Sequence, residues 1–505
     1  MSWVSIPEEL LIQIFSYLCH QDIIAAGKCC KRWSSISGDD LLWRLVTKRD
    51  YNIPGLNLAN RIPVRSGWKE EYQRMKDETP EICYQVFHEH KDEVLHVSFS
   101  NCGRMFVTSS KDGSFIVWSI DESLECRILD KVDMTPHQWK YTWAAKFNTT
   151  STLLLVAGVR DEVSGFLAVF DMMEGKMRLR DQVSNSPYDV MGAWVSETSW
   201  LCGDVQYTFV NNGIQADIIL GNTAHSRELE EVTWLGGRDH LFSFTTSDGR
   251  NLGWEASTFM RCLLVTKIFP DNKMFPDYST YYRHSTNIND IRTHIADRNS
   301  KESLSDENLV LIFLCSSKTS TPHQIGFKRL YPEHLTSCPT ITEPDHVIDM
   351  LGHIVGICLD KQSDGRYLYV NIRRWPDGAK PSLDLPPPIA TEIEMRVLDL
   401  QTFTFLDICF TGHKGFTDSL GAFYIYLDTC DTLVASGSED CRVYVWDKVY
   451  GCKLASNSHD NVVNSVAFNP VDQETMVTVG DDHKIKLWIS RKRSRQLKQK
   501  SYTIL

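Results

Sequence analysis

The sequence predicts a mainly β protein that is built from a repeated unit of short strands and preceded by a small all-α domain. A set of one His, one Ser or Thr, one Asp and one Trp occurs three times in the 505-residue chain. The hydroxyl residue, the Asp and the Trp keep the same mutual spacing in all three copies. Short runs rich in β-branched and aromatic residues surround each set and favour strands. Before the first set, residues 3–50 carry apolar side chains at helical spacing instead.

The repeated set has a structural explanation. In each copy the Asp stands in a polar turn, where it can accept hydrogen bonds from the His and from the backbone, and the hydroxyl and the Trp N–H can complete a buried network. This spacing resembles the structural tetrad of WD-repeat β-propellers, so we expect framework residues rather than catalytic or metal-binding ones. The three predicted tetrads are His90, Thr108, Asp112 and Trp118; His413, Ser436, Asp440 and Trp446; and His459, Thr478, Asp482 and Trp488.

The resemblance implies a propeller over residues 82–490, with seven blades and eight as the alternative. Residues 240–331 supply the strands of a fourth blade, or of a fourth and a fifth. The last repeat ends at Trp488 with its third strand, so we expect residues 82–87 to complete that blade and remove its open edge. The polar stretch at about 270–306 is expected to be a surface insertion.

Residues 3–50 are expected to form a separate helical unit. Their segments IPEELLIQIFSYL, DIIAAGKCCKRWSSI and DDLLWR occur in the order of an F-box, which the unit resembles. An ordinary helical cap on the propeller is the alternative. The F-box resemblance implies a Skp adaptor as partner and, through it, cullin-1 and a RING subunit. It also divides the following residues between the small core and the docking face: Ile6, Pro7, Leu10, Ile14, Phe15, Leu18, Ile23, Trp33 and Trp43.

Residues 51–80 are predicted to be a helical connector. Trp68, Tyr72 and Met75 follow the period of an amphipathic helix. In F-box receptors this segment is a rigid spacer, which suits a need to hold a substrate at a fixed distance.

Composition excludes several functions. The net charge of −12 argues against a general nucleic-acid surface. We find no apolar run long enough to span a membrane and no secretory signal. The 15 cysteines include no C-x-x-C pair, which fits a reducing compartment such as the cytoplasm and gives no zinc pattern. No phosphate loop, nucleophile elbow or metal-ligand ladder is present, so we expect no cofactor, no metal and no enzymatic activity.

The end of the chain, residues 491–505, is predicted to be a basic, solvated tail, with a nuclear-import or RNA-binding segment as the alternative. Arg491 lies three residues after Trp488, where the Trp-Asp-x-Arg motif of cullin-4 receptors has its Arg. The motif's Asp is replaced by Ile489. After Trp446 the Asp is present as Asp447, but Val449 replaces the Arg. Arg491 is therefore a candidate contact for the damage-binding adaptor of cullin-4 ligases.

Segments outside the repeats, among them PYDVMGAWVSETSW, DHVIDMLGHIVGICL and RYLYVNIRRWPDGA, resemble the F-box and WD-repeat protein five family. That resemblance implies a substrate-recognition subunit of an SCF-type ubiquitin ligase, with use by cullin-4 ligases as a further option, which recruits proteins for ubiquitination and proteasomal degradation. A non-degradative WD-repeat scaffold is the alternative. Phosphate-reading relatives gather arginines at the propeller channel, and the candidates here are Arg160, Arg178, Arg180, Arg238, Arg250, Arg373 and Arg374.

Overall fold

The computed structural model describes residues 6–53, 64–161, 164–173, 175–185, 191–208, 213–223, 239–245, 260–267, 309–316, 319, 321–330, 340–382 and 385–503. The predicted insertion at about 270–306, and Arg238 and Arg250, lie outside these residues.

Five helices precede the first strand, and one follows the last strand of the described chain. The N-terminal unit is held together by buried side chains that recur at helical spacing, such as Leu11 and Phe15. Asp39 caps the fourth helix by accepting hydrogen bonds from the N–H groups of Leu41 and Leu42, at 2.9 and 3.2 Å. The helices are α1 (Glu8–Phe15), α2 (His20–Ala26), α3 (Lys31–Ser37), α4 (Asp40–Asp50), α5 (Trp68–Asp77) and α6 (Arg491–Thr503).

The rest of the described chain is almost entirely strand. In chain order the strands are β1 (Pro80–Phe87), β2 (Val94–Phe99), β3 (Met105–Ser110), β4 (Ser114–Ile120), β5 (Cys126–Asp133), β6 (Tyr141–Phe147), β7 (Leu153–Val159), β8 (Gly165–Met173), β9 (Lys176–Asn185), β10 (Ala193–Trp194), β11 (Ser199–Thr208), β12 (Gly213–Asn222), β13 (Asp239–Thr245), β14 (Met260–Lys267), β15 (Leu309–Cys315), β16 (Gln324–Leu330), β17 (Thr340–Thr342), β18 (His346–Asp349), β19 (Gly352–Leu359), β20 (Tyr367–Arg374), β21 (Glu394–Asp399), β22 (Thr404–Phe410), β23 (Leu427–Thr429), β24 (Leu433–Ser436), β25 (Arg442–Asp447), β26 (Lys453–Ser458), β27 (Val463–Phe468), β28 (Thr475–Gly480) and β29 (Ile485–Ser490).

These strands form seven sheets, which confirms the predicted propeller and selects seven blades over eight. Blade 1 is β2–β5, blade 2 is β6–β9, blade 3 is β10–β13 with β17, blade 4 is β14–β16 with β18, blade 5 is β19–β22, blade 6 is β23–β26, and blade 7 is β27–β29 with β1. Residues 240–331 therefore supply one new blade and not two. The strand β13 belongs to blade 3, because it pairs with β12 from Gln215 to Leu220.

The ring closes as the unfinished last repeat predicts. The strand β1 pairs antiparallel with β29, with Ile82 opposite Ile489 and Val86 opposite Lys486. The first strand of each blade lies towards the centre, since β2 contacts both β27 and β6, and β23 contacts both β19 and β27. The closing strand is therefore the outermost strand of blade 7.

The core lies between neighbouring blades. Val477 and Leu487 of blade 7 pack with Val97 and Phe106 of blade 1 and are buried, as their alternation in short strands predicts. Similar clusters join blades 1 and 2 and blades 5 and 6.

The propeller has two faces that are occupied differently. Strands alternate in direction within a blade, so connections from the second to the third strand, and from the fourth to the next blade, emerge on one face. Connections from the third to the fourth strand emerge on the other. The helical unit packs on this second face, against Tyr450 and Cys452 in the connection between β25 and β26.

Candidate protein-docking sites

The N-terminal unit exposes an unusual number of large apolar side chains. On α1, Leu11 and Phe15 point into the core, while Leu10 and Ile14 are 50% and 40% exposed. Because residues four apart share a helix face, Leu10 and Ile14 form one stripe, and Leu41 and Leu45 form another on α4, which contacts α1. We call the exposed set the F-box apolar face; its members are Leu10, Ile14, Tyr17, Ile24, Leu41 and Leu45.

The nine residues that were predicted to form the core and the docking face of this unit lie in three environments. Phe15, Ile23 and Trp43 are buried; Ile6, Leu18 and Trp33 are half-buried; and Pro7, Leu10 and Ile14 are exposed. The ring of Phe15 meets that of Trp33 edge to face at 5.5 Å. Sequence reasoning did not place Leu41 and Leu45 on the surface, although their four-residue spacing beside the buried Leu42 carries that signal.

Helix α5 of the connector packs against both neighbouring units. Helix α5 buries the predicted Trp68, Tyr72 and Met75. Tyr72 lies against Trp43, with ring centroids 5.2 Å apart, and donates a hydrogen bond from its hydroxyl to Asp50 at 2.8 Å. Trp68 faces the ring of Tyr450 in the propeller. The helix is therefore packed against the N-terminal unit on one side and against blade 6 on the other.

A buried ionic cluster fixes the same helix to the propeller. Arg74 contacts Glu71 at 2.9 Å and also Asp447, and all three side chains are buried. Burial alone would lower the pKa of Arg74, but Asp447 and Glu71 outweigh it, so the pKa is raised and the cation is retained. Asp447 also accepts hydrogen bonds from the N–H groups of Val449 and Tyr450, both at 2.8 Å.

In two of the three predicted tetrads, hydrogen bonds join the four side chains of the tetrad to one another. In blade 7 the Nδ1 of His459 lies 2.9 Å from Asp482, its Nε2 lies 2.6 Å from the hydroxyl of Thr478, and Trp488 donates to that hydroxyl at 2.7 Å. Burial would raise the pKa of Asp482, but the hydrogen bond from His459 and its charge lower it to about 2.

In blade 1 the first tetrad repeats this geometry. His90 lies 3.1 Å from Asp112 and 2.9 Å from the hydroxyl of Thr108, to which Trp118 donates at 3.2 Å. Both networks lie within single blades and act as framework.

The predicted tetrad of blade 6, which begins at His413, is not formed as expected. His413 lies 3.2 Å from the amide oxygen of Asn371 in blade 5, and that amide donates to Ser436 at 2.8 Å, so Asn371 stands between the two. Asp440 accepts instead from the hydroxyl of Tyr444 at 2.6 Å, and Trp446 donates to a backbone carbonyl. Within the described residues the Nδ1 of His413 has no hydrogen-bond partner. The longer interval between His413 and Ser436 is the one signal of this difference in the sequence.

The basic C-terminal segment is a helix with ionic partners, which corrects the expectation of a solvated tail. Lys492 lies 2.9 Å from both Glu78 and Glu474, and Arg495 lies 2.6 Å from Asp77. Arg491 is the first residue of α6, and its half-exposed guanidinium is bonded to Glu81 of β1. Leu497 packs against the cluster between blades 1 and 7.

The described arginine candidates have separate roles. Arg178 and Arg180 lie on β9, the outer strand of blade 2, and Arg180 pairs with Asp171. Arg373 is buried and donates to the carbonyls of Ala390 and Gly415 at 2.8 Å. Arg374 pairs with Glu394 at 2.7 Å, and Arg160 lies over the ring of Phe166. The contacts of Arg160, Arg180, Arg373 and Arg374 are all with groups of the chain itself, and none of them resembles a free phosphate site.

A second exposed apolar set lies on the propeller face opposite the helical unit. Leu351 is in the connection from β18 to β19, Leu385 in that from β20 to β21, and Phe416 and Leu420 in that from β22 to β23; each is at least 60% exposed. Hydrogen bonds join these loops: the N–H of Trp375 donates to Leu351, and Arg373 reaches Thr417 at 3.2 Å. We call Leu351, Leu385, Phe416 and Leu420 the loop face.

The described residues contain no group of three or more His, Cys, Asp or Glu side chains that could hold a metal ion. Within the same residues, no helix is both long enough and apolar enough to cross a bilayer.

Comparison with known proteins matches both parts of the chain. The family model described as F-box-like matches residues 3–49. The model described as WD domain, G-beta repeat, matches residues 81–119, 406–447 and 451–488, which contain the three predicted tetrads. The chain is 33% identical to F-box/WD repeat-containing protein 5 of Homo sapiens, over 97% of this chain and 95% of that protein. It is 32% identical to the protein of the same name from Rattus norvegicus, over 96% and 94%.

Proposed function

The chain belongs to the family of F-box/WD repeat-containing proteins, and from that premise we propose that it is the substrate-recognition subunit of an SCF-type ubiquitin ligase. The F-box apolar face docks on a Skp adaptor, which carries cullin-1 and a RING subunit. The propeller holds the protein that is to be ubiquitinated and degraded. The chain contributes position rather than chemistry, because holding a lysine near a thioester can supply much of a rate enhancement.

The observation that carries this proposal is the F-box apolar face. A water-exposed set of six large apolar side chains on a unit this small needs a covering partner. The neighbouring Leu11 and Phe15 are already buried, so the exposed stripe is not required for the unit's own core. A few apolar anchors at the centre of such an interface carry most of its binding energy.

The supporting geometry is the placement of the two docking surfaces. The helical unit lies on one face of the propeller, and the loop face lies on the other. Helix α5 and the Arg74–Asp447 pair fix the first arrangement. A substrate bound at the loop face would therefore be held at a constant distance from the adaptor, which raises its effective concentration at the ligase.

The test is co-purification of the full-length chain with a Skp adaptor. We expect the parent chain to recover the adaptor and the variant L10D/I14D to lose it, because two buried carboxylates in an apolar interface are strongly unfavourable. Leu385→Asp, at a leucine of the loop face that is more exposed than Leu10 or Ile14, is the control and should recover the adaptor fully. Unchanged recovery by L10D/I14D would contradict the proposal.

Attachment to a cullin-4 ligase through the damage-binding adaptor is a second candidate. Arg491 favours it by position, since it follows Trp488 at the spacing of the Trp-Asp-x-Arg motif. Two observations weigh against it: Arg491 is paired with Glu81, and Asp447 of the other incomplete motif is buried with Arg74. Binding of the damage-binding adaptor by the parent chain and its loss in Arg491→Ala would support this attachment; equal binding by both would exclude Arg491 as the contact.

A non-degradative scaffold remains the alternative use of the same propeller. The two functions predict different behaviour for a protein that binds to the loop face. Its abundance in cells should rise when L10D/I14D replaces the parent chain if the chain is a ligase receptor, and should stay constant if the chain is a scaffold. We propose that this work takes place in the cytoplasm; the ionic partners of Lys492 and Arg495 argue against α6 as a free import signal.

A further inference from the structure

A groove of about 570 Å³ lies between α2, α5 and α6, where the N-terminal helical unit meets α6. Its lining includes the buried rings of Trp43 and Tyr72. It also includes Ile24, which is 41% exposed and belongs to the F-box apolar face. The groove and that face are therefore continuous surfaces.

The groove is positively charged although the chain is acidic. Four cationic side chains line it, Lys76, Arg491, Arg495 and Lys498, against the single carboxylate of Asp77. The net charge of the whole chain is −12, so this concentration of positive charge is local. Burial lowers the pKa of His20, which also lines the groove; Lys76 and Arg491 lower it further, while Asp50 and Asp77 raise it.

Two of the four cations are available to a partner. Arg495 is paired with Asp77 at 2.6 Å, and Arg491 is bonded to Glu81. Lys76 and Lys498 make no ion pair within the described part of the chain. They lie on α5 and α6 respectively, so an occupant of the groove would meet one ammonium group from each side.

We propose that the groove receives an acidic segment of the same adaptor that covers the F-box apolar face. Carboxylates of that segment face Lys76 and Lys498, and an apolar side chain packs on Ile24. This inference rests on the proposed function, because the continuity through Ile24 identifies the occupant. It makes α6 part of the adaptor-binding surface, with a charged rim that sets on-rate and salt dependence.

The test measures binding of the full-length chain to purified Skp adaptor at low and at high NaCl concentration. We expect K76E/K498E to bind about fivefold more weakly than the parent at low salt, and the difference to vanish at high salt because exposed charges are screened. The matched control is K140E/K176E, which makes the same charge change at exposed propeller positions and should bind like the parent. Unfolding temperatures equal to that of the parent show that the variants are folded.

The outcomes separate the two proposals. If the parent binds the adaptor and K76E/K498E binds equally well at low salt, the groove inference is overturned and the proposed function stands. If the parent does not bind the adaptor at all, the proposed function fails, and the groove inference, which rests on it, fails with it. If polyuridine RNA binds the parent but not K76E/K498E, while adaptor affinity is the same for both, the groove is a nucleic-acid site and the inference is overturned.

Discussion

Arg74 of α5 and Asp447 of blade 6 form a buried ion pair that fixes the connector helix to the propeller. Asp447 is the Asp of the one Trp-Asp signature in the chain. In this protein its carboxylate is directed to the F-box connector and to the backbone of its own turn. The most recognisable repeat residue thus serves the joint between the two domains.

Asp447→Asn should destabilise the protein strongly. It leaves the buried cation of Arg74 with Glu71 as its one carboxylate, and breaking a buried pair costs about 3–5 kcal/mol in the free energy of unfolding. Urea unfolding of the full chain measures the change. Glu394→Ala, which removes the half-exposed partner of Arg374, is the control and should cost less than about 1 kcal/mol. Equal losses in the free energy of unfolding would mean that the buried pair stabilises the protein no more than the exposed one.

The two kinds of repeat network should differ in strength. Asp482 accepts hydrogen bonds from His459 and from the N–H groups of Asp460 and Lys484. Asp440 accepts one from the hydroxyl of Tyr444. We expect Asp482→Ala to cost about 3 kcal/mol and Asp440→Ala about 1 kcal/mol, since bonds to charged groups add. Thermal unfolding of both variants checks this; a larger cost for Asp440→Ala than for Asp482→Ala would contradict the predicted difference.

Stability should fall as the pH is lowered from 7 to 5. Burial and then Lys414 lower the pKa of His413 to about 3, from an ordinary 6.5. The unfolded chain therefore takes up a proton at this site below about pH 6.5, and the folded chain does not until about pH 3. The contribution of His413 to the free energy of unfolding is therefore complete above about pH 6.5, and about 2 kcal/mol of it is lost by pH 5.

Denaturant unfolding at several pH values tests this assignment. His413→Gln should lose less stability between pH 7 and 5 than the parent, because glutamine does not titrate and can still donate to Asn371. His137→Gln, at an exposed position, should keep the slope of the parent. Parent and His413→Gln with the same slope would contradict the role of His413.

The loop face should bind substrate without phosphate. F416D/L420D replaces two exposed apolar side chains of the loop face with carboxylates, and should reduce recovery of ubiquitination substrates from cells at least about tenfold, as expected for interface anchors. Adaptor binding should be unchanged, because the helical unit is on the opposite face. Phosphatase treatment of the lysate serves as the companion measurement. Substrate recovery that depends on phosphate and survives F416D/L420D would point to another surface.

Much of the architecture could be predicted because it is written in local patterns. The spacing of Asp482 and Trp488 identified the repeat, and the missing fourth strand after Trp488 predicted that residues 82–87 close the ring. The helical period of α5 predicted its buried face. These features depend on residues that are near in sequence or on a rule of closure.

What the sequence could not provide depends on contacts between distant segments. Asn371 enters the network of His413 from the neighbouring blade, 42 positions away. Arg74 meets Asp447 across 373 positions. The basic residues of α6 suggested a free tail because their carboxylate partners, such as Glu78 and Glu474, are scattered along the chain.

Closure by β1 also ties the order of synthesis to the order of assembly. The F-box and α5 leave the ribosome long before Tyr450 and Cys452, on which they pack. The strand β1 likewise waits for β29. A chain that stops before these residues would thus carry an F-box without its contacts on the propeller, an unpaired β1 and no α6, and would not present the joint that holds the two docking surfaces in place.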